Sequence, residues 1–281
     1  MIICLIINLN LFFLYIYLIN MVKCNKKSFL KVLPVKPYDE ECKLPREVND
    51  LLPSMKGDVG VFIGRICSGK SNLLSNLILR PDMLGELFET IYLISNTASC
   101  DDSSRFLVKE DNVKVFDTYS DTLIDNIVNT KKDMEKKDMK WDLIIGDDLL
   151  GSLRSNPPCK LYQLATRLRH YAFNMILLTQ KMTSVSPVVR VNTTFLCVFW
   201  NLYGNEIDAI GVEWGNFCGE KGFVYLYKKY IQKDRYSFMY INFSKGIVMK
   251  NFNQLLYSID GGYEEDKKNN NDSDSDSEDS E

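Results

Sequence analysis

The chain has 281 residues, 46% hydrophobic and 25% charged, which is ordinary for a globular protein and enough for one α/β domain with tails. Its formal net charge of −3 is unevenly placed: Glu264–Glu281 holds nine acids and two lysines, which leaves the rest of the chain at +4. Eight scattered cysteines without a Cys-x-x-Cys pair, and a single histidine at His170, exclude a zinc-binding pattern and read as reduced thiols in a cytosolic setting.

Residues 1–20 contain seventeen apolar residues, long enough to span a bilayer, but lack a basic leader and a small-residue cleavage site. Two readings stand. One is a membrane anchor, with Lys23, Lys26 and Lys27 keeping the domain on the cytoplasmic side. The other is an extension upstream of a true start at Met21. Residues 21–56 are polar and punctuated by Pro34, Pro37, Pro45 and Pro53, a lead-in segment rather than a core. Residues 57–262 are expected to form the folded domain, and 263–281 a disordered acidic tail.

Within that domain strand and helix patterns alternate, which predicts an α/β fold with a mainly parallel central sheet flanked by helices. Val59–Ile63 reads as a strand, Lys70–Leu79 as a helix, and Ile91–Ser95 and Val113–Phe116 as strands. Asp121–Asp138 is helical and charged towards its end; Leu143–Asp147 is a buried strand. Tyr162–His170 is helical, and Asn174–Gln180 and Phe195–Trp200 are buried strands. Tyr236–Phe243 and Ile247–Lys250, around Ser244-Lys245-Gly246, read as a closing β-hairpin.

Gly64-Arg65-Ile66-Cys67-Ser68-Gly69-Lys70-Ser71 fits G-x-x-x-x-G-K-[ST] between an apolar strand and a helix. Glycines let the backbone wrap so that successive N–H groups and the helix N-terminus face phosphate oxygens. Lys70 would reach the β- and γ-phosphates of ATP, and the Ser71 hydroxyl would ligate Mg²⁺. Asp147 and Asp148 end a buried strand, where paired acids are costly unless their charge is compensated. Asp147 would hold the metal ion and Asp148 would activate the attacking water. Gln180, at another strand end, would sense the γ-phosphate or position that water. Arg167, Arg169 and Arg190 are candidates for an arginine finger from a neighbouring subunit. Asp148–Gly151 and Thr130–Asp133 match GTPase motifs in the wrong order and context, so guanine specificity is not supported.

In this order the motifs resemble those of viral genome-packaging ATPases of the FtsK–HerA superfamily, nearest the poxvirus-type enzymes of large DNA viruses, virophages and polinton-like elements. The resemblance spans roughly residues 57–250. It rests on GRICSGKSNLL at Gly64–Leu74, IYLIS at Ile91–Ser95 and LIIGDDLLGS at Leu143–Ser152. It continues through RHYAFNMILLTQ at Arg169–Gln180 and SPVVRVNTTFLCVF at Ser186–Phe199. It implies a P-loop ATPase whose rings drive double-stranded viral DNA into a preformed capsid, with a capsid or portal-vertex protein as partner. Host cytoplasm at sites of virion assembly, or the virion itself, is the implied location. It matches Lys70, Ser71, Asp147, Asp148 and Gln180 to the roles above, and Arg190 to an arginine of the family pattern. Two readings compete with a DNA translocase: a P-loop kinase or other non-translocating nucleotide enzyme, and a nucleotide-gated assembly protein.

Overall fold

The structure is a computed structural model and describes residues 42–98, 104–149, 153 and 158–263. The hydrophobic stretch 1–20, the acidic tail from Glu264, and Leu150–Ser152 of the double-aspartate motif lie outside the described residues.

Ten strands form one sheet. In chain order they are β1 (Val59–Ile63), β2 (Ile91–Ser95), β3 (Val113–Phe116), β4 (Asp142–Asp147), β5 (Phe173–Thr179), β6 (Phe195–Phe199), β7 (Phe238–Asn242), β8 (Ile247–Lys250), β9 (Gln254–Ser258) and β10 (Gly262–Tyr263). Across the sheet they run β3-β2-β4-β5-β1-β6-β7-β8-β9-β10. The six from β3 to β6 are all parallel, whereas β6 to β10 pair antiparallel. The helices are α1 (Lys70–Leu79), α2 (Asp121–Lys132), α3 (Lys160–Leu164), α4 (Pro187–Asn192), α5 (Asn205–Trp214) and α6 (Glu220–Leu226), the last continuing as a π-helical turn over Tyr227–Ile231.

The parallel strands are apolar runs because both faces are covered. Val59, Val61 and Ile63 of β1, Ile144 of β4, and Met175 and Leu177 of β5 point into one core with α2 to α6. Phe62, Leu143, Ile145, Ile176 and Leu178 point into the other, with Leu74, Leu77 and Ile78 of α1. At about 1.5–3 kcal/mol for each fully buried large side chain, this two-faced burial is what holds the sheet.

The lead-in segment contributes to the second core from Cys42 on, a difference from the sequence reading. Leu52 and Met55 are buried there. The reason is polar as much as apolar. Buried Asn174 of β5 accepts the N–H groups of Gly57 and Asp58 at 3.0 and 2.9 Å and donates to the Met55 carbonyl at 2.9 Å. Trp141 Nε1–H likewise reaches the Cys42 carbonyl at 3.1 Å.

Two helices are shorter than their sequence patterns. α2 opens on a Ser120 cap, whose hydroxyl accepts the Leu123 N–H at 3.1 Å, and it carries Lys131 and Lys132 in its last turn. Beyond Lys132 the stretch Asp133–Asp138 has no buried apolar face to hold it in a helix, and its one large apolar residue, Met134, is exposed. The segment expected to be one helix over Tyr162–His170 breaks into α3 and a 3₁₀ turn at Leu168–His170. There the Thr166 hydroxyl donates to the Gln163 carbonyl at 2.9 Å, competing with the helical ladder. The expected closing hairpin is β7–β8, and β9 and β10 extend it beyond what the turn pattern foretold.

Candidate functional site

The C-terminal ends of β1, β4 and β5 meet at one edge of the parallel sheet, with β5 lying between the other two. That edge is where open α/β sheets bind ligands. Residues Gly64–Gly69 leave β1 there and turn into α1.

Two glycines of this loop are required by its geometry. A Cβ at Gly64 would lie 2.6 Å from Ser68 Oγ and 2.7 Å from Phe199 Cβ. Gly69 caps α1 with φ +104°, a left-handed conformation that side chains resist. The loop is moored at both flanks. Gly64 N–H donates to the Thr179 carbonyl at 3.1 Å, tying it to the end of β5. Asn201, just past β6, accepts the Arg65 N–H at 3.1 Å and donates to the Ile66 carbonyl at 3.4 Å. Arg65, Ile66 and Cys67 are exposed; Ser68 is buried, and its Oγ has no partner among the described residues. Cys67, Cys42, Cys159 and Cys197 are free thiols.

Lys70 folds over the loop, its Nζ donating to the carbonyls of Gly64 and Arg65 at 2.7 and 3.1 Å. Burial lowers its pKa, and the charges of Asp147 and Asp148 partly oppose that. The ammonium is thus held on the loop's own carbonyls, with the charges of the two acids favouring its protonated form. Ser71, in the first turn of α1, is partly buried beside it in sequence.

Asp147 ends β4, buried, and accepts the Ser95 hydroxyl of β2 at 3.1 Å. Asp148 follows with φ +48°, a sharp left-handed turn that aspartate tolerates better than most residues. Its N–H donates to the Leu178 carbonyl at 3.1 Å, fixing the turn against β5. Its Oδ2 accepts the Gln180 side-chain amide at 2.6 Å, while its Oδ1 is buried with no partner among the described residues. Two residues singled out separately from the sequence thus touch. Ser95 and Asn201 were missed; both stand at strand C-termini, where the sheet-edge rule could have flagged them.

The arginines lie elsewhere. Arg169 is exposed in the 3₁₀ turn before β5, packed against Gly57 ahead of β1, at the opposite end of the strands. Arg167 and His170 are exposed in the same turn region. Arg190, on α4, is paired with Glu213 of α5 at 2.5 Å, and its buried Nε has no partner among the described residues. Neither Arg169 nor Arg190 is brought to this subunit's own loop by the contacts observed.

The donor set suits Mg²⁺, which keeps several waters and takes one or two carboxylates besides phosphate oxygens. A hydroxyl at Ser71, a carboxylate at Asp147, and the orphaned buried oxygens of Ser68 and Asp148 fit a charged polar ligand. Among the described residues there is no cluster of three or more His, Cys, Asp or Glu that would form an all-protein metal cage.

A mainly parallel sheet, a glycine-bounded loop opening a helix, and acids at the tip of the next strand but one define a P-loop nucleotide-binding protein. The Poxvirus A32 protein family matches residues 57–251, and the chain belongs to that family. The resemblance to packaging ATPases of the FtsK–HerA type drawn from the motifs is thereby borne out at the family level. Among solved structures the chain is similar to the genome packaging NTPase B204 from Sulfolobus turreted icosahedral virus 2 in complex with ATP-gammaS. The TM-score is 0.51 and the identity 20%, over 69% of this chain and 95% of that one. It is also similar to B204, the DNA-packaging ATPase from Sulfolobus turreted icosahedral virus, with a TM-score of 0.53 and 17% identity over 69% and 96%. At such identity these two establish the fold. No curated protein matches the chain.

Proposed function

We propose that this chain is an ATP-driven motor that packages a viral genome, hydrolysing ATP at the Gly64–Ser71 loop to move double-stranded DNA into a capsid. The observation that carries the reading is the meeting of loop, Asp147 and the Asp148–Gln180 pair at one sheet edge, in a chain of the poxvirus A32 protein family. The likeness to a packaging NTPase described with ATP-gammaS supports it.

The backbone N–H groups of Gly64–Ser71 and the N-terminus of α1 bind the phosphates, and Lys70 exchanges its two loop carbonyls for phosphate oxygens. Mg²⁺, held by Ser71 and Asp147, would neutralise charge on the β- and γ-phosphates. Asp148 accepts a proton from water as the water oxygen bonds to the γ-phosphorus and the bond to the bridging oxygen of ADP breaks. Gln180, fixed to Asp148 Oδ2, orients that water. Charge on the transferring group is met by an arginine from the next subunit of a homo-oligomeric ring.

The DNA contact we place on a basic cleft at the opposite end of the strands. Lys56, Lys136, Arg169 and His170 line a cavity of 370 Å³ together with Trp141. None of the four has an ion-pair partner among the described residues, so the cleft suits a phosphodiester backbone. This assigns Arg169 to DNA and leaves Arg190 as the finger, released from Glu213 when subunits close. A capsid or portal-vertex protein as docking partner, and virion assembly sites as the location, follow from the same reading.

The deciding experiment measures ATPase rate with and without linear double-stranded DNA, alongside the oligomer mass. Turnover raised by DNA in a ring-sized species is expected. A monomer with unstimulated turnover would reject the motor and leave a non-translocating nucleotide enzyme.

A further inference from the structure

We infer that the purine base of the nucleotide sits in the cleft between α1 and the antiparallel half of the sheet, stacked on Tyr236; this rests on the P-loop reading of Gly64–Ser71. The cleft has a volume of 590 Å³, in the range of small-ligand sites. It begins at the loop itself, with Cys67 and Gly69 on its wall, and runs along Asn72 and Asn76 of α1 to Tyr236 and Asn251. A nucleotide whose phosphates lie on the N-terminus of α1 must place its base within a nucleoside's length of Gly69. Tyr236 meets that condition: a Cβ built on Gly69 would be 3.8 Å from Tyr236 Cδ1.

Three features mark Tyr236 as a platform rather than a packing residue. It is 55% exposed although it stands two residues ahead of β7, every residue of which is buried. Its ring is braced, with the Arg235 guanidinium 4.8 Å from the centroid and the Trp200 ring edge-on at 6.4 Å. Its backbone is strained, and not alone. Of eight non-glycine residues with positive φ among those described, Cys67, Tyr236, Asn251 and Phe252 all line this cleft. Residues held in costly backbone conformations cluster where a ligand must be met by a preset surface. Here the strain turns the chain at both ends of the β7–β8 hairpin towards α1. Asn251 also offers a polar handle. Its Oδ1 is spent on the Phe238 N–H at 2.8 Å, while its amide donors have no partner among the described residues. A purine ring presents acceptors to such donors and has the area that stacking rewards.

The test is equilibrium binding of ATP and of inorganic tripolyphosphate to the full chain, for wild type, Tyr236→Ala, Tyr236→Phe and Lys70→Met. Tyr236→Ala should weaken ATP about tenfold or more, the scale of a lost base–aromatic stack, and leave tripolyphosphate unchanged. Tyr236→Phe should bind both as wild type does, and Lys70→Met should lose both. Unchanged ATP affinity in Tyr236→Ala overturns the proposal. So does an equal loss of ATP and tripolyphosphate, because Tyr236 would then only brace the loop. A wild type that binds neither ligand rejects the P-loop reading and this inference with it. Should Tyr236→Ala fail to fold, saturation-transfer NMR on wild type replaces it. Strong transfer from protein aromatic protons to the base protons supports the stack, and transfer confined to the ribose overturns it.

Discussion

At the scale of single residues the proposed mechanism separates binding from chemistry. Asp148 is held by its own backbone N–H on Leu178 and by Gln180 on Oδ2, and asparagine can adopt its left-handed turn. Asp148→Asn should therefore fold and bind ATP as wild type does while hydrolysis falls on the order of 10²–10⁴-fold, the range of a lost general base. Isotherms and steady-state turnover on the same preparation check it, and equal turnover would remove Asp148 from the mechanism. A second residue-scale case lies away from the site. Asp142 and Lys131 form a buried pair at 2.9 Å, with Asp142 also accepting the Thr90 N–H at 3.1 Å and Lys131 donating to the Lys140 carbonyl at 2.7 Å. Burial raises the Asp142 pKa and Lys131 partly counters it. A raised folded pKa means that the stability from this group is full below the ordinary carboxylate range and is lost as pH rises through the folded value. Lys131→Met removes the counterweight. It should cost about 3–5 kcal/mol at neutral pH and less near about pH 4, as Asp142 protonates. Urea denaturation at the two pH values tests the sign.

At the scale of elements, the lead-in segment and β5 act as one unit through Asn174. Its three hydrogen bonds satisfy the backbone of buried Met55 and Asp58 and of half-buried Gly57. Asn174→Ala would strand these groups and should cost about 2–4 kcal/mol. Truncation to residue 57 should destabilise the fold as well, since Leu52 and Met55 leave the core with it. Thermal or denaturant unfolding reads both, and a loss below about 1 kcal/mol in each would show that the segment is an accessory. Proline spacing concealed this role, because the apolar residues of 42–56 follow no helical or strand period. What holds them is a side chain more than a hundred residues away in sequence.

At the scale of the whole molecule the proposed motor uses both ends of the parallel strands, the nucleotide loop at one and the basic cleft at the other. Charge reversal at Lys56 and Lys136 should weaken DNA binding and lower the salt slope by roughly one for each phosphate no longer neutralised, with unstimulated ATP turnover unchanged. Binding isotherms over a salt series would show it, and an unaltered slope would move the DNA surface elsewhere. The finger belongs to this scale too. Arg190→Ala subunits and Lys70→Ala subunits should each be inactive alone, the first by about 10³–10⁵-fold. Mixed rings should regain activity wherever an intact Arg190 faces an intact loop. Full activity of Arg190→Ala would return the role to Arg169.

The sequence by itself determined the parallel half of the sheet and the loop, because local pattern carries both. Short apolar runs such as Met175–Leu178 between turn signals suit strands covered on two faces, and the spacing from Gly64 to Ser71 is the one a phosphate-binding loop needs. Tertiary structure alone decided which strands are neighbours, and so that Asp148 meets Gln180 across the β4–β5 boundary. It also decided that Arg190 is held by Glu213, that Arg169 stands at the far end beside Lys56, and that Tyr236 leans over Gly69. Each of these contacts joins residues at least twenty-three positions apart, beyond the reach of any helical or strand period. They exist because two cores must close at once on the two faces of one sheet.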